Sequence, residues 1–330
     1  MNIVFSYGVI GGGGCERRMG DLVRWFLANG DEAWIVGSCI NVDGRSQLFD
    51  QQGLPPERII VWESHREQYP EAHDFGDFVE HVCRALRADI LDIQYTNTIP
   101  TKAPCRMIFT MHGMGQPIPL MTFDGILSVE SMVPPIQFTD QPFAHVNNWV
   151  DMTRFPFQRK LGEGACFMGR NFKTVNALKV ASLWDGTIDC YGIAEVPIED
   201  YPHNMRWLGY TDPAETLPRY RVVFASAQVA LEALAVGRFV IAGQHYVWPP
   251  AGLLVTPGNI RLLADNQFYT VERSSNIAEP SAEEVYLEFR EAMEDDAPRE
   301  RQYMSQYVRK HHDPDTQMQK IRQFYEEVLA

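Results

Sequence analysis

The stretch Val222–Gln244, which reads VVFASAQVALEALAVGRFVIAGQ, constrains the fold of this chain more than any other segment. It begins with a β-branched run, Val222–Ala225, and closes with a second apolar run, Phe239–Ala242. Between them, small and apolar residues around Glu232 have helical spacing, and Gly237 is typical of a helix C-terminus. A strand, a tight turn, a helix and a second strand predict part of an open parallel α/β sheet.

The turn after the first of these strands is a candidate ligand site. In open parallel sheets, ligands bind beyond the carboxyl ends of the strands. Ser226, Ala227 and Gln228 follow the strand directly, so we expect them to line that crevice. The start of the following helix offers backbone N–H groups that can bind an anion. The sequence therefore predicts a diphosphate site here.

The helix also resembles that of a known family. Residues 230–242, ALEALAVGRFVIA, are similar to the donor-site text A-L-E-A-M-A-C-G-x-P-V-V-A of retaining glycosyltransferases with the GT-B fold (family 4, or group 1). The resemblance implies that Glu232 binds the ribose hydroxyls of a nucleotide sugar. It implies further donor contacts from Ser226, Gln228 and Val229. Taken without the resemblance, Glu232 is also explained as a carboxylate on the helix surface.

Length and charge narrow the class of protein. A chain of 330 residues exceeds the usual size of one core and predicts two domains. With 29 basic and 43 acidic residues, the formal net charge is −14, which argues against a surface for nucleic acid or anionic lipid. Neither a run of about 18 apolar residues nor a signal sequence is evident, so we expect no membrane span and a soluble cytoplasmic protein.

No metal site or cofactor is expected from the sequence. The cysteines, which lie far apart without a CxxC pair, are Cys15, Cys39, Cys83, Cys105, Cys166 and Cys190. Their spacing predicts reduced, mostly buried thiols, and neither zinc nor disulfides. Asp313 and Asp315 have Asp-x-Asp spacing, but Pro314 between them favours a helix start with Asp313 as its N-cap.

The N-terminal segment contains a second pattern that is typical of phosphate binding. Asn2–Tyr7 reads as a strand, Gly11–Gly14 as a glycine loop, and a helix follows from about Glu16 to Asn29. The loop lacks the third glycine of GxGxxG, which disfavours NAD, and a glycine turn without a ligand is the alternative. In the family that this chain resembles, such a loop faces the donor phosphates and the acceptor. That resemblance assigns donor binding to Gly12, Gly13 and Gly14.

Two further motifs carry candidate catalytic side chains. Thr110 and His112, after a predicted strand Met107–Met111, match the family's T-x-H-G, which implies that His112 aligns the sugar; a structural histidine is the alternative. Arg170 and Lys173 follow a predicted strand and resemble G-R-x-x-x-x-K-G, whose two cations clamp the diphosphate. Here two residues, rather than four, separate the cations. A solvated basic turn is the alternative reading.

The remaining resemblance concerns domain organisation. Residues 205–212 are similar to V-x-F-L-G-Y-V-S/T-D, which implies that Gly209 and Tyr210 lie beside the nucleotide base. Residues 146–155 resemble the family's hinge, and the chain's last helix resembles one that returns to the first domain. We therefore predict a Rossmann-like acceptor-side domain over 1–155, a Rossmann-like nucleotide-sugar domain over 156–300, facing it across a cleft, and returning helices over 301–330.

One family feature is missing. Relatives carry a glutamate eight positions before the ribose glutamate, followed by a G-F-G loop that holds the sugar, whereas Phe224 occupies that position here. The resemblance implies a metal-independent, retaining glycosyltransferase that moves a sugar from a UDP- or GDP-linked donor to a soluble acceptor, which could be a small molecule, a glycan or a protein. The alternatives are a non-catalytic descendant that binds a nucleotide sugar or a partner protein, and a nucleotide-sugar epimerase.

Overall fold

Two parallel β-sheets organise the chain. The computed structural model describes residues 1–10, 13–40, 52–94, 100, 102–112, 123–129, 141–170, 173–192, 197, 199, 201–242, 253–265, 267–268 and 280–330. Their contacts divide the chain into one unit of Met1–Val146 with Asp315–Ala330, and a second unit of Asn147–Pro314. The predicted α/β architecture with two Rossmann-like sheets is confirmed.

The first unit is built on a sheet with the strand order β3-β2-β1-β4-β5-β6-β7, in which the neighbouring strands are parallel. Its strands are β1 (Asn2–Ile10), β2 (Glu32–Ile40), β3 (Ile59–Val61), β4 (Ile90–Gln94), β5 (Arg106–Met111), β6 (Gly125–Ser128) and β7 (Phe143–His145). Its helices are α1 (Gly14–Ala28), α2 (Trp62–His65), α3 (Phe75–Leu86) and the last helix of the chain, α10 (Pro314–Leu329).

The core of the first unit follows from the apolar pattern. Val4 and Phe5 in β1 are both fully buried although they point to opposite faces, as expected of a parallel strand that is covered on both sides. Helix α1 buries Met19, Leu22 and Phe26 at helical spacing. Strand β1 is longer than the predicted Asn2–Tyr7, because β1 and β2 continue to pair as far as Ile10 and Ile40.

The second unit has the strand order β10-β9-β8-β11-β12, again with parallel neighbours. Its strands are β8 (Ala165–Met168), β9 (Ile188–Tyr191), β10 (Met205–Gly209), β11 (Val222–Ala225) and β12 (Phe239–Ala242). Its helices are α4 (Val175–Ala181), α5 (Pro213–Thr216), α6 (Ala227–Val236), α7 (Ile260–Asp265), α8 (Ala282–Glu294) and α9 (Pro298–His311).

Helix α6 lies in the middle of this second core. All residues from Ala230 to Val236 are buried, as expected of a helix that is apolar around most of its circumference. Gly237 ends the helix with a φ of 84°, a left-handed conformation that favours glycine. A Cβ atom at this position would also lie 2.5 Å from the ring of Phe157, so close packing adds a second requirement for glycine.

Two buried arginines donate hydrogen bonds to backbone carbonyl groups at the ends of these elements. Arg238 is fully buried, and its guanidinium donates to the backbone carbonyl groups of Gln158, Lys160, Pro218 and Tyr220. Arg301 of α9 donates to those of Gly237, Arg159 and Asp296. Burial lowers the pKa of Arg238 to about 10, which leaves it charged at neutral pH. Carbonyl oxygens therefore stabilise these charges inside the second unit.

The contacts place the boundaries between the two units at 146/147 and 314/315, whereas the bounds predicted from the sequence are 155/156 and 300/301. Helix α9 stays with the second unit, because its Ser305 hydroxyl donates to the carbonyl of Ala235 in α6 at 2.7 Å. The segment from Asn147 also belongs there, since the N–H of Val150 donates to the carbonyl of His312 at 2.9 Å. From Asp315, helix α10 belongs to the first unit.

Candidate functional site

The strand order of the second sheet reverses between the parallel neighbours β8 and β11. Strands β9 and β10 extend from one side of β8, and β11 and β12 from the other. Because β8 and β11 are parallel neighbours, their carboxyl ends lie side by side. The turn with Arg170 and Lys173 follows β8, and the turn at Ser226 follows β11. The two predicted donor-binding turns therefore meet at the switch point where doubly wound sheets bind ligands.

A single residue, Ser226, joins β11 to α6. The hydroxyl of Ser226 makes no capping hydrogen bond, and Ala227 has a φ of 50°, which is uncommon for a residue with a Cβ atom. The N–H of Ala227 donates to the carbonyl of Gln267 at 2.6 Å. Of the backbone N–H groups expected to bind an anion at this turn, that of Ala227 is instead capped by a carbonyl from the segment after α7. The left-handed alanine marks local strain at this turn.

Glu232 is a fully buried carboxylate with a polar neighbour one turn earlier in α6. Its relative exposure is 0%, which excludes the alternative of a surface carboxylate. The side-chain amide of Gln228 donates to Oε1 of Glu232 at 3.1 Å and to the carbonyl oxygen of Trp149 at 2.7 Å. A buried carboxylate needs hydrogen-bond donors, and Gln228 supplies one.

The turn after β8 carries the two predicted cations. Gly169 has a φ of 157°, at the limit of the region that favours glycine. The N–H of Lys173 donates to the carbonyl of Arg170 at 2.9 Å and closes a tight turn. Arg170 is exposed and Lys173 is partly buried; residues 171 and 172 lie outside the described part of the chain. Both cations therefore belong to one turn beside the start of α6.

The other predicted donor residues of the second unit lie further from the switch point. Gly209 ends β10 with a φ of 80°, and a Cβ atom there would meet open space. Because β9 separates β10 from β8, Gly209 and Tyr210 lie two strands away along the same edge. The Tyr210 hydroxyl is buried and has no hydrogen-bond partner among the described residues. Val229 packs against the hydrophobic core.

The first sheet has its own switch point, between β1 and β4. Gly13 is the N-cap of α1 and Gly14 its first residue, whereas Gly12 lies outside the described residues. His112 follows β5, and its Nε2 lies 2.7 Å from Oε1 of Gln94 at the end of β4. The same nitrogen lies 3.4 Å from the Cys15 sulfur in the first turn of α1. The structure thus brings His112 and the glycine segment together at one edge.

The His112 ring is neutral at physiological pH. Burial, together with the nearby positive charge of Arg18, lowers its pKa to about 3. Because the amide oxygen of Gln94 can only accept, Nε2 carries the proton and donates to it. His112 can therefore offer a neutral imidazole to a hydroxyl, and it is not an imidazolium acid at pH 7.

A buried polar cluster lies below this edge, and none of the sequence motifs indicates it. Asp92 in β4 accepts hydrogen bonds from the hydroxyls of Thr110, at 2.6 Å, and Tyr325 of α10. Burial raises the pKa of Asp92 to about 6, and the charge of Arg18 opposes this shift. The sequence does contain a signal for both charged residues. Arg18 directly precedes Met19 on the buried face of α1, and Asp92 lies inside an apolar strand.

Two Rossmann-like units, with the last helix rejoining the first unit, define the GT-B class of fold. A glycosyltransferase from Rickettsia africae ESF-5 aligns with 99% of this chain and 98% of its own, with 12% identity and a TM-score of 0.62. A TarM variant from S. aureus, solved with fondaparinux, alpha-GlcNAc-glycerol and UDP, aligns over 98% and 100%, with 11% identity and a TM-score of 0.66. The pneumococcal O-GlcNAc transferase GtfA, solved with UDP and GlcNAc, aligns over 100% and 99%, with 12% identity and a TM-score of 0.63. The predicted GT-B fold is confirmed.

Comparison by sequence adds no relative: no family model matches the chain, and no curated protein matches it. Across the described ranges, no helix has the length and apolar character to cross a membrane. Within the same ranges, no group of three or more His, Cys, Asp or Glu side chains is arranged to hold a metal ion. The cysteines are free thiols, of which Cys83, Cys166 and Cys190 are buried and the others partly buried.

Proposed function

We propose that this protein is a glycosyltransferase that transfers a sugar from a nucleotide-diphosphate sugar to an acceptor, with retention of configuration and without a metal ion. The GT-B fold of the whole chain supports this class of reaction. We place the donor site in the second unit and keep His112, in the first unit, as a candidate catalytic residue. We further propose that the acceptor is soluble and that the protein acts in the cytoplasm.

One observation carries the proposal: the cationic turn after β8 and the start of α6 after β11 are neighbours at the switch point of the second sheet. Arg170 and Lys173 supply positive charge on one side. Helix α6 supplies its N-terminal dipole and the buried carboxylate of Glu232 on the other. A nucleoside diphosphate has the matching parts, an anionic diphosphate and ribose hydroxyls.

These groups suggest how the bond to the sugar breaks. As the glycosidic bond lengthens, negative charge grows on the departing diphosphate. Arg170, Lys173 and the dipole of α6 would stabilise that charge, which is the role a metal ion has in other transferases. No carboxylate among the candidate residues is placed as a nucleophile, which favours departure and attack on the same face of the sugar.

Calorimetric titration with UDP, GDP and the other nucleoside diphosphates, in EDTA and in Mg²⁺, tests the donor site. We expect one diphosphate to bind in EDTA with an affinity that Mg²⁺ does not improve. UDP is the first ligand to try, since two of the similar structures contain it. Binding of none of them would refute the donor site, and binding in Mg²⁺ only would refute metal independence.

A non-catalytic nucleotide-sugar-binding or partner-binding protein is the second candidate. It is favoured by the single-residue connection at Ser226, which leaves no room for a sugar-holding loop between β11 and α6. The two candidates differ in turnover. A mixture of nucleotide sugars, assayed for released nucleoside diphosphate with and without added acceptors, distinguishes them: release identifies a transferase or hydrolase, and binding without release identifies the second candidate.

A further inference from the structure

The side chain of Gln228 joins the proposed ribose ligand to a distant segment of the chain. One hydrogen of its amide group reaches Oε1 of Glu232, at 3.1 Å, and the other reaches the carbonyl oxygen of Trp149, at 2.7 Å. An amide NH₂ has two hydrogens, so both are used. Trp149 lies 79 residues before Gln228 and is buried, two residues after the point where the chain enters the second unit.

The segment around Trp149 is held by further hydrogen bonds. The amide of Asn148 donates to Oε1 of Gln267 at 3.1 Å, and the carbonyl of Gln267 accepts from the N–H of Ala227 at 2.6 Å. On its other side, the Asn148 carbonyl lies 2.7 Å from Nδ1 of the buried His312. A closed set of bonds therefore connects the start of α6 with the residues where the chain enters and leaves the second unit.

Gln228 lies between Glu232 and the edge at which a ligand arrives. Helical side chains lean toward the helix N-terminus, so the carboxylate of Glu232 points toward the residue one turn earlier, which is Gln228. Glu232 has no exposed surface, whereas Gln228 is partly exposed. A ribose hydroxyl that binds Oε1 of Glu232 therefore competes with the Gln228 amide for the same oxygen.

We propose that Gln228 is an internal lock on the donor site. In the protein without nucleotide, its amide occupies the hydrogen-bonding position that ribose hydroxyls take on Glu232. Nucleotide binding displaces the amide and, because the same amide holds Trp149, loosens the bonds around residues 147–150. This inference rests on the proposed function for its ligand, but its structural link from Gln228 to Trp149 does not. Such a lock lowers the apparent affinity by the fraction of molecules that are open.

The link is tested first without any nucleotide. Gln228→Met keeps the shape of the side chain and removes its donors, and Gln302→Met makes the same change at an exposed position of α9 as a control. We expect hydrogen exchange at the Val150 amide, which bonds to His312, to be faster in Gln228→Met than in the wild type and the control. Equal exchange rates would overturn the link, whatever the protein binds. Gln228→Ala serves if the methionine variant does not fold.

The lock is tested by affinity. We expect Gln228→Met to bind the diphosphate that the wild type binds roughly three- to tenfold more tightly, because the competing bonds are gone. Equal or weaker binding by the variant would overturn the lock and make Gln228 a donor ligand instead. If neither the wild type nor the variant binds any diphosphate, the proposed function and the lock are both refuted, while the exchange experiment still decides the link between Gln228 and Trp149.

Discussion

The carboxylate of Glu232 in α6 is fully buried, and this burial limits the roles that it can have. Glu232 has no exposed surface, yet it lies one turn from the helix start at the sheet's switch point. A charge at such a position is costly unless it is paired or binds a ligand. A fully buried carboxylate adds nothing to solubility, whereas at the switch point of the sheet its chemistry suits two hydroxyl donors.

We predict that Glu232→Gln weakens binding of the nucleoside diphosphate and leaves the fold intact. Loss of charge-assisted bonds to ribose corresponds to about 1.5–3 kcal/mol, or roughly ten- to a hundredfold in affinity. Glu215→Gln, at an exposed position of α5, is the matched control and should bind as the wild type does. Calorimetry measures both, with circular dichroism as a check on folding. Unchanged affinity would remove Glu232 from the donor site.

Because the pKa of His112 is lowered in the folded state, we predict that the stability of the first unit depends on pH. The pKa of the folded ring is lowered to about 3, whereas the unfolded chain binds this proton below about 6.5. Between those values the unfolded state binds more protons, so this contribution to stability is lost as pH falls through 6.5. Because the ring is partly exposed, solvent reduces the effect to about 1 kcal/mol at pH 5.

Urea unfolding of the wild type and His112→Gln at pH 7.5 and pH 5 measures this contribution. The wild type should lose more stability over the interval than the variant does. Asp92, whose pKa is raised to about 6, binds its proton in the folded state first and so acts in the opposite sense, but it is present in both proteins. Equal losses in the two proteins would show that His112 is not held neutral by its surroundings.

At the scale of elements, strands and helices are largely predictable because their signals are local. Residues 222–225 and 239–242 form strands with the bounds that their apolar runs predict, and Gly237 ends α6 as expected. Helix α6 begins at Ala227, two residues before its apolar pattern, because the start of a helix leaves little trace in hydrophobic spacing.

The contacts that join distant segments were not predictable. The bond from Gln228 to Trp149 and the cap that Gln267 places on Ala227 depend on tertiary packing, which no local pattern encodes. It was predictable that the two candidate turns share one edge of the sheet, since strand ends share an edge in any parallel sheet. The sequence did not reveal the hydrogen bond between Gln228 and Glu232.

We expect the packing of helix α10 to depend on one buried hydroxyl group. Its Tyr325 is fully buried in the first unit, where the hydroxyl donates to Asp92 and the ring stacks on Phe26 at 5.8 Å. Tyr325→Phe keeps the stacking and leaves Asp92 without one donor, so we expect a loss of about 1–3 kcal/mol in the free energy of unfolding. Tyr303→Phe, at a residue that is 48% exposed, should change it little. Equal losses in urea denaturation would show that the hydroxyl does not hold α10 in place.

The net charge of the molecule is an argument about which kind of acceptor it can use, a soluble or a membrane-bound one. The chain has a formal net charge of −14, and α1 does not supply a basic face to offset it. Arg18 is buried beside Asp92, and Arg24 donates to the carbonyl of Gln52 at 2.7 Å. A helix that binds anionic membranes needs exposed Lys or Arg around an apolar face. In α1 the apolar face is instead occupied by the core of the first unit.

We therefore predict that the protein does not bind anionic membranes and that its acceptor is soluble. In co-sedimentation with phosphatidylserine-containing liposomes at about physiological ionic strength, it should stay in the supernatant, as it should with neutral liposomes, because surface charge of the same sign repels it. A known lipid-binding protein with a polybasic segment is the positive control. Pelleting with anionic liposomes that high salt reverses would reveal a local basic surface that the net charge conceals. A lipid-linked acceptor would then replace the soluble one, while the donor site at Glu232 would stand or fall by its own test.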